Sequence, residues 1–425
     1  MGSHSHTHTF SVERFVLDDK TKKYIFGFIG AGLLLTIIGI IIATMGGHGG
    51  EHTAEAHAGH HGATWVTRLW ANILLNNFYF VGIALLAVFF MALQHVSNAG
   101  WAVVLMRIPQ AMGAFLIPGA ILMLLVAAYA LFGHSFYHWT DSQVVAADPI
   151  LSAKSAWLNK TGFVGRMVVY FLIWIFFYQI LSKISNSMDN SPSLEGFNKG
   201  PVYGSLFTAL FALSISASSW DWIMSIEAHW FSTMFSVYSF AGSFVGFLAM
   251  TIIIVSYLKS LGYLGYVSES HLHDLGKFLF AFCTFWAYIW FCQFLLIWYA
   301  NIPEEGIYFA RRWENGYKPY FFLDAILSWV LPFLILMTRN SKRNTSSLVM
   351  VAVIVLIGHY TDLFMMVMPG AVGAEHGEWL FSPLELGVFL TYMGIFWFVT
   401  AKALEKCPLA PKYHPYLEES LHHTT

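Results

Sequence analysis

Charged residues and cysteines are both scarce in this chain. Asp, Glu, Lys and Arg together make up only 11% of its 425 residues, whereas soluble domains carry about 25%, so an ordinary soluble protein is excluded. The net charge of −2 offers no basic surface, and nucleic acid is therefore not an expected partner. With three cysteines and no C-x-x-C-H sequence, neither a four-cysteine iron–sulfur site nor covalently attached haem is expected within the chain.

Apolar residues dominate instead, at 57% of the chain. They form continuous runs long enough to cross a bilayer. Transmembrane β-strands alternate apolar and polar positions, whereas these runs do not, so the pattern favours helices. The sequence predicts an all-α integral membrane protein with about ten transmembrane helices, at roughly 24–45, 73–95, 107–133, 161–183, 202–222, 232–258, 274–301, 318–338, 345–368 and 383–404.

An even number of helices places both termini on one side of the membrane. Lys and Arg are about twice as frequent in the connections on that side, and the positive-inside rule therefore predicts cytoplasmic termini. We expect a multi-pass protein of the bacterial inner membrane, built as one polytopic domain over residues 1–425. Its predicted extramembrane parts are a short cytoplasmic N-terminal tail (1–23), a His-rich outer loop (46–72) and a short cytoplasmic C-terminal tail (405–425).

Polar groups within the predicted spans are the first candidates for function. A charge at the centre of a membrane helix costs about 2.5–3.5 kcal/mol on insertion scales, so such residues are expected to face the bundle interior. His359 lies roughly 18 Å along its helix, Asp362 shares its face, and Asp324 enters from the opposite end. The candidates near the outer ends of the spans are Asp221, Glu227, His229, Gln293 and Glu385.

We hypothesise that Asp221, Asp324, His359 and Asp362 converge into one polar cluster in the outer half of the membrane. Carboxylates that share a site of low dielectric constant repel each other, and an imidazole beside them can pass a proton. Hydroquinone oxidation needs an acceptor for each hydroxyl proton, which suits such a cluster. The serines of the fifth span would then hold water towards the cytoplasm; they are Ser214, Ser216 and Ser218.

Structural alternatives remain open for several of these groups. Asp221 between two tryptophans also suits a helix cap, and His359 with Asp362 also suits an interhelical hydrogen bond. Glu304 and Glu305 suit a solvated loop, and the aromatic run at 285–291 suits packing against lipid or core as well as a quinone-stacking wall. The histidines of the outer loop suit either a solvated loop or a metal site; they are His48, His52, His57, His60 and His61.

Three segments of the chain resemble NrfD-like (PsrC-like) membrane subunits of bacterial respiratory complexes. The resemblance covers most of the chain from about residue 70, and is strongest to the smaller NrfD-like subunit of alternative complex III, a quinol:cytochrome c oxidoreductase. The segments are SSWDWIMSIEAHWFSTMF (218–235), FWAYIWFCQFLLIWYANIPEE (285–305) and GHYTDLFMMVMPG (358–370).

The resemblance implies two four-helix bundles with flanking helices. It further implies partners that carry the redox centres, namely periplasmic iron–sulfur and multihaem cytochrome c subunits, together with a second NrfD-like membrane subunit. The chain would be a scaffold with a proton pathway and a menaquinol contact. It would bind lipid and menaquinone, with no cofactor attached covalently or through a metal ligand.

One alternative comes from another class of protein. A free-standing proton- or ion-coupled transporter also buries acids in membrane helices, and its broken helices fall at paired positions in its two halves. Pro109, Pro118 and Pro332 are the candidate breaks, and they show no clear inverted pairing. Purification of the native protein, with or without haem-carrying partners, distinguishes the two functions.

Overall fold

The structure, a computed structural model, describes residues 13–46, 65–132, 136–189, 192, 194–313, 316–373 and 381–425. Ten helical segments within these residues are long and apolar enough to cross a membrane, which confirms the predicted all-α membrane fold. We label them in chain order as α1 (Asp19–Met45), α2 (Trp65–Ser97), α3 (Val103–Phe132), α4 (Lys160–Ser187), α5 (Glu195–Trp222), α6 (Phe235–Ser260), α7 (Glu269–Ala300), α8 (Lys318–Leu336), α9 (Thr345–Ala371) and α10 (Pro383–Leu404).

Eight of these helices form two four-membered rings. In the first bundle α2 packs on α3 and α5, and α4 closes the ring between them. In the second bundle α6 packs on α7 and α9, and α8 closes the ring. The two bundles meet where α2 contacts α6 and α9, while α1 and α10 pair on the outside and α10 rests on α2 and α3. The arrangement of two four-helix bundles with flanking helices agrees with the prediction.

Both ends of the described chain lie at the same end of the helix bundle. Arg14 forms a single β-bridge with Pro408, and the Leu17 backbone N–H donates to the Glu405 carboxylate over 2.9 Å. We call this end of the molecule the terminal face, and the opposite end, where α5 ends and α6 begins, the distal face.

Glycines let α1 approach α10 closely. A Cβ at Gly387 would lie 2.3 Å from the Thr36 backbone nitrogen, and one at Gly39 would lie 2.5 Å from Leu384. Such small residues allow membrane helices to pack at short distance, where no hydrophobic effect drives them together. The rest of α1 is largely exposed, as expected for a helix that faces lipid.

Several connections contain helices that the sequence pattern did not predict. The connection after α7, in which Glu304 and Glu305 suit a solvated loop, holds a helix at Pro303–Trp313, and two short helices at Ser142–Ala147 and Pro149–Lys154 lie between α3 and α4. A π-helical turn at Ile326–Val330 interrupts α8. The five histidines of the predicted outer loop lie outside the described residues.

Candidate functional site

Helices α6, α7 and α9 bring polar side chains together around Asp362 inside the second bundle. Asp362 is completely buried, and its carboxylate accepts hydrogen bonds from the Tyr238 hydroxyl and from the Trp286 indole N–H, the latter over 3.1 Å. With Asp324 and His359, described next, these residues form what we call the Asp362 cluster. The predicted burial of Asp324, His359 and Asp362 is confirmed, since all three are at most 3% exposed.

Asp324 enters the cluster from α8, next to the π-helical turn. The hydroxyl of Ser328, which lies within that turn, donates to the Asp324 carboxylate over 2.9 Å. Gly358 of α9 passes so close that a Cβ there would lie 2.5 Å from the Ser328 hydroxyl oxygen. A π-turn inside a helix frequently marks a functional site, and here it places a hydroxyl against a buried acid.

His359 is 3% exposed, and neither of its ring nitrogens has a hydrogen-bond partner. Its Nδ1 lies 4.0 Å from the Asp362 carboxylate, too far for a hydrogen bond. The ring stacks on Tyr79 of α2, and a Cβ at Gly246 of α6 would lie 2.8 Å from it. The interhelical hydrogen bonding considered from the sequence is therefore present at Asp362 but absent at His359. His359 lies at the junction of the two bundles with both nitrogens free.

A cavity opens on the distal side of the cluster. The empty space in it is about 350 Å³, counted together with the space that opens to its surroundings. Both Asp324 and Asp362 line it, and so does Gln293, whose amide nitrogen is buried without a partner. The remaining walls are aromatic rings, two methionines and one arginine: Tyr238, Trp290, Tyr308, Phe309, Phe321, Met365, Met366 and Arg312.

That arginine, Arg312, is a buried cation on the Pro303–Trp313 helix. Its Nη2 donates to the Glu227 carboxylate over 2.7 Å, and its Nε donates to the Met365 carbonyl over 2.8 Å. The guanidinium also lies 3.3 Å from the ring centre of Tyr308, whose own pKa is raised by burial. Arg312 therefore joins the cavity to Glu227, whose other partner is the half-exposed Arg311.

Asp221 belongs to a separate ion-pair network in the first bundle. Arg166 donates to both of its carboxylate oxygens over 2.8 and 2.9 Å, and the Trp157 indole and the Tyr170 hydroxyl complete the set. All these partners lie on α4 or just before it. The prediction that Asp221 converges with Asp362 is therefore wrong, because its carboxylate is already bound within the other bundle.

Glu385 and His229 also lie apart from the cluster. Glu385 accepts from Arg68, Asn72 and Ser382, so it caps α10 and ties it to α2. His229 is half-exposed on the distal face, 2.5 Å from Asp148, and this contact lowers the pKa of the Asp148 carboxyl. Eight residues were singled out in the sequence. The structure brings four of them together, namely Gln293, Asp324, His359 and Asp362. Glu227 lies behind Arg312, which separates it from that group.

The serines of α5 do not line a route to the terminal face. Ser214 accepts from the Trp174 indole over 2.9 Å, and Ser216 and Ser218 donate to carbonyls of their own helix. Ser216 faces outwards. The expected water-holding role of these three serines is not supported by their contacts, because their hydroxyl protons are used locally.

Sequence reasoning missed Tyr238, Trp286 and Arg312. Each contacts a partner on a different helix, a pairing that a single sequence does not display. A signal was present for Trp286, because it belongs to the aromatic run at 285–291. Within that run Trp286 is buried against Asp362, whereas Tyr288 and Phe291 are more than half exposed. An Arg pair beside a membrane span was the signal for Arg312.

The chemistry available to the cluster follows from its charges. In the described residues, no Lys or Arg lies within ion-pair distance of Asp324 or Asp362. Two buried carboxylates without a cation are costly when both are ionised, so the pair is suited to hold a proton. No group of three or more His, Cys, Asp or Glu side chains that could hold a metal ion was found in the same residues.

Comparison of the chain with models of known protein families and with curated proteins finds no match.

Proposed function

We propose that this chain is a membrane subunit of a respiratory quinol:electron acceptor oxidoreductase, of the NrfD-like type that its sequence resembles. In this role the Asp362 cluster accepts and releases protons while other subunits carry the electrons. The pairing of Asp324 with Asp362 on one cavity carries the proposal, because two buried acids without a cation serve proton transfer better than they serve stability.

The cavity beside the pair offers a contact for a quinol head group. Rings of Trp290 and Phe321 flank it, and Gln293 presents an unpartnered amide. A hydroquinone hydroxyl placed there would meet a carboxylate that can take its proton. Apolar walls with a few convergent polar groups are the usual form of a small-molecule site. These features support menaquinol as the ligand, with Asp324 and Asp362 as proton acceptors.

The orientation that we propose places the terminal face in the cytoplasm and the distal face outside. The Lys and Arg distribution supports it. Periplasmic iron–sulfur and multihaem cytochrome c subunits would then meet the distal face, on the side of the cavity, and a second NrfD-like subunit would lie beside the bundles in the membrane.

Substitution of the paired acids in the assembled complex tests the proposal. Asp362→Asn and Asp324→Asn keep the shape and remove the titrating group, so assembly should be normal while quinol oxidation falls by roughly 10²-fold, the scale of a lost acid–base group. Glu304→Asn, an exposed acid on the distal face, is the control and should retain activity. Wild-type turnover in both buried variants would show that the pair is structural and would refute the proposal.

A further inference from the structure

The interior of the second bundle is apolar between the Asp362 cluster and the terminal face. Side chains that are completely buried fill it from four helices, among them Leu248 and Ile252 of α6, Leu279 of α7, Leu336 of α8, and Val351 and Val355 of α9. The hydroxyls of Thr251 and Thr284 donate to carbonyls of their own helices. Ser243 and Ser256 of α6 also carry buried hydroxyls, but roughly 20 Å of helix separates them. A water molecule needs two to four polar partners, and these described residues form no continuous chain of them.

The distal side of the cluster is different, because polar groups continue from it to the surface. The cavity that contains Asp324 and Asp362 ends at Arg312. Arg312 is held by the Glu227 carboxylate and by the carbonyls of Tyr308, Met365 and Met366. Glu227 in turn reaches Arg311, whose side chain is 42% exposed.

We infer that the Asp362 cluster exchanges protons with the distal face alone, and that Glu227, held in place by Arg312, is the residue through which they pass. This inference rests on the proton-binding role proposed above. It adds that the residues which the structure describes provide no proton route from the cluster to the terminal face, and it gives a role to an ion pair that the proposed function leaves unused.

The proton balance of the exchange is simple. The O–H bond of the protonated Asp362 or Asp324 carboxyl breaks, a water in the cavity carries the proton, and a new O–H bond forms on the Glu227 carboxylate. Arg312 keeps its own protons throughout, because a guanidinium does not release them in proteins. Glu227 then gives its proton to solvent beside Arg311. Arg312 is a positioning residue, since it lines the cavity and holds Glu227 directly behind it.

The titratable groups around this route are few. Asp362 faces Tyr238 of α6, Asp324 of α8 and His359 of its own helix, with Tyr308 near the cavity mouth. Glu227 faces Arg311, Arg312 and Tyr308 of the Pro303–Trp313 helix. Glu227 is the carboxylate nearest to the surface among these groups, so its removal should break the route without removing the buried pair.

Vesicles with a separate pH on each side test the inference. The full chain is reconstituted in one orientation, and dicyclohexylcarbodiimide, which modifies protonated carboxyls in apolar surroundings, reports the protonation of Asp324 and Asp362 after digestion and mass spectrometry. When only the pH on the distal side is changed, labelling should follow it; when only the pH on the terminal side is changed, labelling should stay constant. Labelling that follows the terminal side would overturn the inference.

Variants of Glu227 test the route itself. After a jump in distal pH, Glu227→Gln should slow the change in labelling at least tenfold, and Glu227→Asp, which keeps the negative charge beside Arg312, should slow it less. Glu304→Gln, an exposed acid on the same face, should leave the rate unchanged. A wild-type rate in Glu227→Gln would overturn the inference but leave the proposed function standing, whereas absence of labelling at every pH would overturn the proposed function.

Discussion

At the scale of single residues, two buried aspartates in this protein have opposite environments. Asp221 is enclosed by an arginine, an indole and a phenol, which satisfy both of its oxygens. Among the described residues, Asp362 accepts from a phenol and an indole, with a free imidazole and a second acid nearby. A satisfied ion pair ties helices together, whereas an acid without a cation is available for proton transfer.

The environment of Asp221 leads to a prediction about stability. Asp221→Ala leaves Arg166, whose side chain is 20% exposed, without its carboxylate; loss of one partner of a fully buried pair costs about 3–5 kcal/mol, and partial exposure places this change at or below about 3 kcal/mol. We expect the free energy of unfolding, measured by denaturant titration in mixed micelles, to fall by that amount, with quinol oxidation by the remaining folded complex unchanged. Glu304→Ala is the exposed control and should unfold like the wild type. A stable but inactive Asp221→Ala variant would contradict this structural role.

The sequence was sufficient to predict which residues are buried but not which residues they contact. The cost of a charge in lipid requires Asp324, His359 and Asp362 to face inwards wherever their helices lie. Their partners depend on which helices are neighbours and on how far each is rotated. Asp221 illustrates this limit. Its depth suggested that it shares a cluster with Asp362, but Arg166 of α4 neutralises the Asp221 carboxylate instead. Arg166 itself lies inside a predicted span.

At the scale of elements, the close contact between α1 and α10 depends on glycines, which have no side chain to keep the helices apart. Gly32, Gly387 and Gly394 are the points of closest approach, and a Cβ at Gly394 would lie 2.5 Å from the Ile29 side chain. Elsewhere α1 makes few contacts within the described chain, among them the hydroxyl contact of Thr21 with Tyr257 over 2.7 Å, so the glycine contact is the main one that keeps α1 docked on the bundle.

The glycine contact can be tested with a single methyl group. A Cβ at Gly387 would lie 2.3 Å from the Thr36 backbone nitrogen, and backbone cannot move aside as a side chain does. We therefore expect Gly387→Ala to separate the helices and to lower stability by about 1–3 kcal/mol, the usual cost of overpacking. Proteolysis after α1 and thermal unfolding measure the effect. Gly30→Ala is the matched control, because a Cβ there meets nothing within 4 Å; equal effects of both changes would refute the prediction.

The segment after α10 makes a second prediction, which concerns pH. Burial, together with His95 and Arg107, lowers the pKa of His414 from 6.5 to about 4, and its Nδ1 accepts from the Tyr416 backbone N–H over 3.1 Å. As the pH falls below 6.5, His414 binds a proton in the undocked segment but not in the docked segment. Docking therefore weakens down to about pH 4 and changes little below that pH.

Hydrogen exchange of residues 411–416, corrected for the intrinsic effect of pH, measures this docking. Exchange should accelerate between pH 6.5 and 4 in the wild type and show no such change in His414→Gln, which cannot titrate. The same pH dependence in both proteins would assign the effect to another group.

The elements that the sequence predicted well are those with a uniform environment. Ten continuous apolar runs became ten membrane helices because length and hydrophobicity are enough to specify a span. The π-turn of α8 and the helix at Pro303–Trp313 were not predicted. The first depends on the close approach of Gly358 to Ser328, and the second on burial of Arg312 under α9, and both are tertiary contacts.

At the scale of the whole molecule, the two bundles enclose different kinds of polar group. The first bundle encloses a neutralised ion pair, and the second encloses the Asp362 cluster and its cavity. α2 lies between them and is the most completely buried of the ten membrane helices. His359 stacks on Tyr79 of α2 at this boundary, so a change in the packing of the bundles would reach the cluster directly.

The proposed function requires partners, which leads to the last prediction. Oxidation of a quinol releases two protons and two electrons; the acids of this chain can take the protons, but its three cysteines and the lack of a C-x-x-C-H sequence leave the electrons to other subunits. We expect the tagged chain, isolated gently from native membranes, to carry c-type haem and iron–sulfur subunits with it. Haem absorbance and iron content of the eluate measure this, against the same isolation from untagged cells.

The position of those subunits follows from the position of the cavity. Because the cavity opens towards the distal face, electron carriers should lie there, and cross-linking should join them to Lys160 and Lys318, which are exposed on that face, rather than to Lys20 and Lys23 on the terminal face. Cross-links to the terminal lysines alone would reverse the proposed arrangement. A chain that is isolated repeatedly without any haem- or iron–sulfur-carrying partner would instead favour a free-standing proton- or ion-coupled transporter, in which the same buried acids would bind the transported ion.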